Sequence, residues 1–211
     1  MNRTVQERRR KSKAPADKRY YDSRYGAHIL KVLPGQYRMA SEEDEMLVTV
    51  LGSCVAACIR DPRTGYGGMN HFMLPAGSDP SSWGGLEAAF RYGNYAMEVL
   101  INELMKAGCR KEDMEIKLFG GANVSNILSD VGERNIKFVR QYLGNEGLRP
   151  VAEDLGGDKP RRIHYCPFTG KVQRLLLRRV DDSNVIGNEE SRYQKDIIQP
   201  KPSAGDVELF D

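Results

Sequence analysis

The scarcities in this chain of 211 residues narrow it first. Cysteine occurs four times, at Cys54, Cys58, Cys109 and Cys166. That is too few, too irregularly spaced, for a disulfide scaffold, and reduced thiols are the natural reading. Histidine occurs three times, and no second Cys/His pair follows at zinc-finger spacing. Cys54, Cys58 and His71 offer three zinc ligands on paper, but Cys-x₃-Cys on a strand is unlike a zinc knuckle, so no metal is expected. No stretch approaches the roughly 18 uninterrupted apolar residues of a membrane helix. The opening MNRTVQERRRKSK has no apolar core of a secretory signal, which makes the cytoplasm the expected compartment. The glycine pairs at 67–68, 84–85, 120–121 and 156–157 fit neither G-x-x-x-x-G-K-[ST] nor strand–GxGxxG–helix. They read as turns and close approaches rather than as a nucleotide site.

What is present is the composition of an ordinary globular domain, 40% hydrophobic and 29% charged. The net charge of +3 hides an uneven distribution. Residues 1–19 hold eight Lys/Arg against two acids, and residues 181–211 hold three against eight. Neither end shows apolar periodicity, so a basic flexible tail and an acidic flexible tail are expected around one domain at 20–180. The Arg8–Lys11 run reads as a solvated tail before it reads as a nucleic-acid or lipid contact.

Within 20–180, strands are expected at 28–33 (HILKVL), 46–51 (MLVTVL), 114–119 (MEIKLF), 148–153, 161–165 and 172–180. Helices are expected at 86–107, where Ala89, Tyr92, Ala96, Val99, Leu100 and Leu104 recur at helical spacing, and at 133–143. Most strands are joined by turns, so the fold class is α/β, a compact single-domain sandwich of mainly antiparallel or mixed sheet with two main helices.

The informative stretch is 53–74. Two apolar segments, SCVAACIR and YGGMNHFML, flank Asp61-Pro62-Arg63-Thr64-Gly65. Asp at the first turn position, Pro at the second and a late Gly are turn chemistry, so the stretch reads as a β-hairpin. A two-residue loop puts Cys54 directly opposite His71, Cβ atoms about 5 Å apart. A four-residue loop puts them on a diagonal, about 7–8 Å apart but on the same face. An odd loop turns one of them away. Thiolate is the nucleophilic form of cysteine, and an adjacent imidazole carries protons and should hold the thiol below its free value of about 8.5. Gly52-Ser53 lets the chain bend so that free N–H groups face an oxyanion. Spacing alone fits a Cys and a His packed in a sheet core at least as well.

The block Thr49-Val50-Leu51-Gly52-Ser53-Cys54-Val55-Ala56, then Gly67-Gly68-Met69-Asn70-His71-Phe72-Met73-Leu74-Pro75, resembles the chemoreceptor glutamine deamidase (CheD) family. Lys117-Leu118-Phe119-Gly120-Gly121-Ala122-Asn123 and Ala152-Glu153-Asp154-Leu155-Gly156-Gly157 continue the resemblance, which ends near Val180 and leaves out both ends. The resemblance implies hydrolysis of glutamine side-chain amides in methyl-accepting chemotaxis receptors, without metal or organic cofactor, in an open groove that admits a receptor helix. It implies Cys54 as nucleophile, His71 as acid/base, and Thr49 as the hydroxyl that orients His71 or binds substrate. Ser53, Gly52 and Asn70 are the expected oxyanion or substrate contacts. A CheC-type phosphatase is an implied partner. The alternatives are a non-catalytic regulator of that phosphatase, or another thiol hydrolase.

Overall fold

A computed structural model describes residues 19–74, 85–124, 130–177, 188 and 190–193. Among these, ten strands form two mixed five-stranded sheets. The first has the order β1 (Arg19–Asp22), β2 (Ala27–Lys31), β4 (Glu45–Leu51), β9 (Arg161–Tyr165), β10 (Val172–Leu176). The second has the order β3 (Tyr37–Ala40), β6 (Gly67–Asn70), β5 (Val55–Arg60), β7 (Glu115–Gly120), β8 (Ala152–Leu155). Pairing is antiparallel except between β2 and β4 and between β7 and β8. The main helices are α1 (Gly85–Lys106) and α2 (Val131–Asn145), and a short 3₁₀ turn covers Lys111–Asp113.

Side-chain alternation on β5 explains the layering. Val55, Ala57 and Ile59 join Leu100 and Leu104 of α1 and Phe138 and Val139 of α2 in one core. Cys54, Ala56 and Cys58 face the other way, joining Leu47 and Leu51 of β4 and Ile163 and Tyr165 of β9. The order is therefore sheet, sheet, helices, with β5 covered on both faces. Burying a side chain such as Leu100 or Ile116, both at 0% exposure, stabilises the fold by about 1.5–3 kcal/mol.

Two strands lie where no strand was expected. β1 (RYYD) is exposed at three of its four positions, and β3 (YRMA) is buried only at Ala40, so neither carries a core-facing alternation. β8 begins at Ala152 rather than 148. Gly147 at φ +68° ends α2, and the Leu148 N–H is bonded to the Leu143 carbonyl rather than to a sheet. The expected basic tail lies outside the described residues except for Arg19, which opens β1; the loop at 75–84 and strand positions 178–180 also lie outside them. Residues 190–193 fall within the expected acidic flexible tail, yet they are helical and Glu190 is only 2% exposed. No helix among the described residues is long and apolar enough to cross a membrane.

Candidate active site

The hairpin fixes the site. Cys58 pairs with Met69, Ile59 with Gly68 and Arg60 with Gly67, and the Asp61 N–H donates to the Tyr66 carbonyl. The loop is thus the four residues Pro62–Gly65, with Gly65 at φ +70°. The isolated bridge between Val55 and Phe72 carries the same register past the end of β6. Cys54 and His71 therefore occupy the diagonal arrangement, both on the face between the two sheets.

Just before β5 the chain turns through Gly52-Ser53-Cys54. All three carbonyls are held on the outside of the turn. Gly52 O accepts from Ala122 N–H at 2.7 Å, Cys54 O from Gly121 N–H at 2.7 Å, and Ser53 O from Asn135 Nδ2 at 2.8 Å. With the carbonyls turned outward, the three N–H groups converge inward, and all three meet one carboxylate, that of Glu190. Gly52 N donates to its Oε1 at 2.9 Å, Cys54 N to Oε1 at 3.1 Å and Ser53 N to Oε2 at 2.8 Å. The Ser53 hydroxyl adds a bond to Oε2 at 2.6 Å. A Cβ on Gly52 would lie 2.9 and 3.0 Å from the two carboxylate oxygens, so only glycine leaves room for the group in this seat. Such a row of amides is an anion-binding concavity.

His71 is oriented from the opposite sheet. Thr49, on the inner face of β4, donates its hydroxyl proton to the Val32 carbonyl at 2.7 Å. Its oxygen also contacts His71 Nδ1 at 2.8 Å. With the hydroxyl proton committed to Val32, His71 must donate from Nδ1, which leaves Nε2 as the basic nitrogen. Nε2 is buried and, among the described residues, has no hydrogen-bond partner. The Cys54 sulfur, a His71 nitrogen and a Glu190 oxygen lie within 4.8 Å of one another.

The charge state differs from the expected thiolate–imidazolium pair. Burial pushes the Cys54 thiol well above its ordinary value, and the Glu190 charge and hydrogen bond push it further the same way. Burial also lowers His71 to about 4, although Glu190 acts in the opposite direction. With Glu190 in place the pair is a neutral thiol beside a neutral imidazole. Access differs from expectation too. A cleft of about 750 Å³, with Tyr20, Arg24 and Arg162 along its walls, reaches Thr49, His71 and Glu190. Yet Cys54 is 0% and His71 2% exposed.

Asn70, expected as an oxyanion or substrate contact, lies away from the amide row. Neighbouring strand positions face opposite ways, so Asn70 points to the helix side. There its Oδ1 accepts from Ala57 N–H at 2.8 Å and its Nδ2 donates to the Ala96 carbonyl at 2.9 Å. It braces α1 against the sheet and contributes nothing to the amide row. Cys58 packs in the inter-sheet core, so the set Cys54, Cys58, His71 is not assembled, and Glu190 stands third beside the thiol and imidazole. Glu190 and Asn135 were not anticipated from the sequence. Asn135, 0% exposed, bonds both Ser53 O and the Leu74 N–H at 2.8 Å, tying the Cys54 turn to the strand end that carries His71.

A nucleophilic thiol, a proton-accepting imidazole and a preorganised row of amides are what thiol-dependent hydrolysis of an acyl group or amide requires. Comparison with known proteins agrees with that class. The family described as CheD chemotactic sensory transduction matches residues 73–175. A Hahella chejuensis protein named "Probable chemoreceptor glutamine deamidase CheD" is 46% identical over 91% of this chain and 90% of its own length. A protein of the same name from Rhodopseudomonas palustris is 49% identical over 92% of this chain and 89% of its own, and one from Halorhodospira halophila is 46% identical over 91% and 89%. The chain belongs to the CheD family.

Proposed function

We propose that this chain hydrolyses the side-chain amide of particular glutamines in methyl-accepting chemotaxis receptors, leaving glutamate and ammonia, and so tunes chemotactic adaptation. The observation that carries the reading is the row of Gly52, Ser53 and Cys54 amides closed around a carboxyl group beside a thiol and an imidazole. A glutamate side chain is the product of this reaction, and the seat accepts one.

The residues take these roles. His71 Nε2 removes the Cys54 thiol proton as sulfur attacks the glutamine Cδ. The resulting oxyanion takes the place of a carboxylate oxygen on the amide row. His71 gives its proton to the departing nitrogen, and ammonia leaves a thioester. Water, deprotonated by His71, attacks the thioester. Carboxylate forms, and the thiol recovers its proton. Thr49 holds His71 in the required tautomer throughout. The amide row supplies the stabilisation of charge, so no metal or organic cofactor is assigned a step.

The names of the relatives and the four free cysteines support a chemoreceptor substrate and a reducing, cytoplasmic setting. A CheC-type phosphatase remains the proposed regulatory partner. Tight CheC binding with no ammonia release would replace the enzymatic reading by the regulatory one. The test is mass spectrometry of a receptor cytoplasmic fragment incubated with the protein. A gain of about 1 Da per modified glutamine is expected, absent with Cys54→Ala, which loses only the attacking atom. Equal gain with Cys54→Ala refutes the assignment.

A further inference from the structure

We propose that the segment carrying Glu190 is an autoinhibitory strap, whose carboxylate occupies the seat of the substrate amide and closes the active site. The inference rests on the reading of Cys54 as nucleophile and adds a regulatory state to that site. Glu190 lies 137 residues from Ser53 in sequence, yet its carboxylate takes the Gly52, Ser53 and Cys54 N–H groups and the Ser53 hydroxyl. A substrate carbonyl needs those same donors, so Glu190 and a receptor glutamine cannot be bound together. The carboxylate is 2% exposed at its residue, Cys54 is 0% and His71 2%, so no macromolecular side chain reaches the sulfur while Glu190 is seated.

A second anchor lies one helical turn further on. Tyr193 falls on the same face of the segment as Glu190. Its hydroxyl bonds that of Tyr92 on α1, and its ring packs against the inter-sheet core. Gly35 is the floor under this ring, since a Cβ there would collide with the Tyr193 hydroxyl. Glu190 and Tyr193 therefore both anchor the segment, one polar in the amide row and one aromatic in a shaped slot. The strap also disarms the pair chemically, because a carboxylate beside the thiol disfavours thiolate. Glutamate suits the task. It matches the negative charge that the seat is built to stabilise, and it is already the hydrolysed form, so Cys54 has nothing to release from it. Because the strap is part of the chain, it competes at a high effective concentration, and substrate must displace it.

The experiment compares iodoacetamide alkylation of Cys54, located by peptide mass spectrometry, in the full-length wild type, Glu190→Ala and Tyr193→Ala. Tyr193→Ala keeps the Glu190 charge and removes only the second anchor. Alkylation should accelerate about tenfold or more in both variants, the effect of a one-unit fall in thiol pKa or of equivalent opening. The kcat/KM on the receptor fragment should rise in both. Unchanged alkylation in both variants overturns the strap. A rise in Glu190→Ala alone also overturns it, since that reports the loss of a nearby charge rather than release of a segment. A fall in kcat/KM in Glu190→Ala alongside faster alkylation makes Glu190 part of the chemistry and likewise overturns it. Faster alkylation in both variants with no receptor glutamine converted by any of them leaves the strap standing and removes the deamidase reading.

Discussion

Replacing Thr49 by valine keeps the shape of the side chain and removes one hydroxyl. That hydroxyl is 4% exposed at its residue and makes two bonds, to the Val32 carbonyl and to His71 Nδ1. Each partner left unpaired in a buried setting costs about 1–3 kcal/mol, so Thr49→Val should lower stability measurably in urea unfolding. The larger effect should fall on the chemistry. Without an acceptor at Nδ1, the imidazole is free to carry its proton on Nε2, which is the nitrogen that must receive the thiol proton. Loss of an oriented general base is worth about 10²-fold or more, and kcat on a receptor fragment should fall by that order with KM little changed. Thr49→Ser restores the hydroxyl and should recover most of the rate. Ammonia release and the Gln→Glu mass change are the two readouts. If Thr49→Val keeps kcat within about threefold, the hydroxyl does not orient the base. A rise in KM at constant kcat would make Thr49 a substrate contact instead.

Gly52→Ala should place a methyl against whatever carboxyl or amide enters the seat, and deamidation should fall more than about tenfold; normal activity would show that substrate does not use this seat. His71 ties stability to pH. Its pKa is lowered to about 4 on folding, so the unfolded chain binds the proton more tightly, and the stability from the neutral buried ring is complete above about 6.5 and lost as pH falls toward 4. The shift corresponds to roughly 3 kcal/mol, and His71→Gln should show a visibly shallower pH dependence of its urea midpoint between pH 7 and about 4.5, whereas parallel curves would refute the shift. Inserting one residue between Arg63 and Thr64 should abolish activity by moving the hairpin register by one, although the turn itself is largely exposed; an active insertion variant would mean that the strand past Gly67 does not set His71.

How much of this was legible in the sequence depends on how far apart the interacting parts lie. The Cys54–His71 face was legible because one hairpin connects them. Asp61, Pro62 and Gly65 mark the turn but leave its length open; the observed pairing makes it four residues, and the period of two does the rest. The same period turns Asn70, beside His71, toward the helices, where it bonds Ala57 and Ala96. The long helix announced itself through its apolar spacing, and glycines at positive φ, Gly108 and Gly147, follow α1 and α2 in the structure. Strands β1 and β3 gave no signal because they bury too little to alternate. Asn135 and Glu190 could not be found by pattern. They act on Ser53 from 82 and 137 residues away, one from the middle of a helix and the other from an acidic stretch with no apolar period.

On the proposed reading, the turn at Gly52–Cys54 lets one seat serve both catalysis and closure. Its three carbonyls are bonded outward to Ala122, Asn135 and Gly121, so its three amides are aimed inward by the fold itself, before any ligand arrives. Amides fixed in this way need no reorganisation when an alkoxide-like oxygen develops on the substrate, and that is the source of their catalytic value. They do not distinguish the oxygen of a tetrahedral intermediate from that of a carboxylate, because both are negative and both accept from the same directions. A neutral glutamine amide is a poorer fit, since its NH₂ presents a donor where Ser53 also presents a donor. A seat selective for the charged oxygen therefore binds its own product more readily than its substrate. Any glutamate brought within reach acts as an inhibitor, and Glu190, tethered to the chain and anchored by Tyr193, is a glutamate brought within reach.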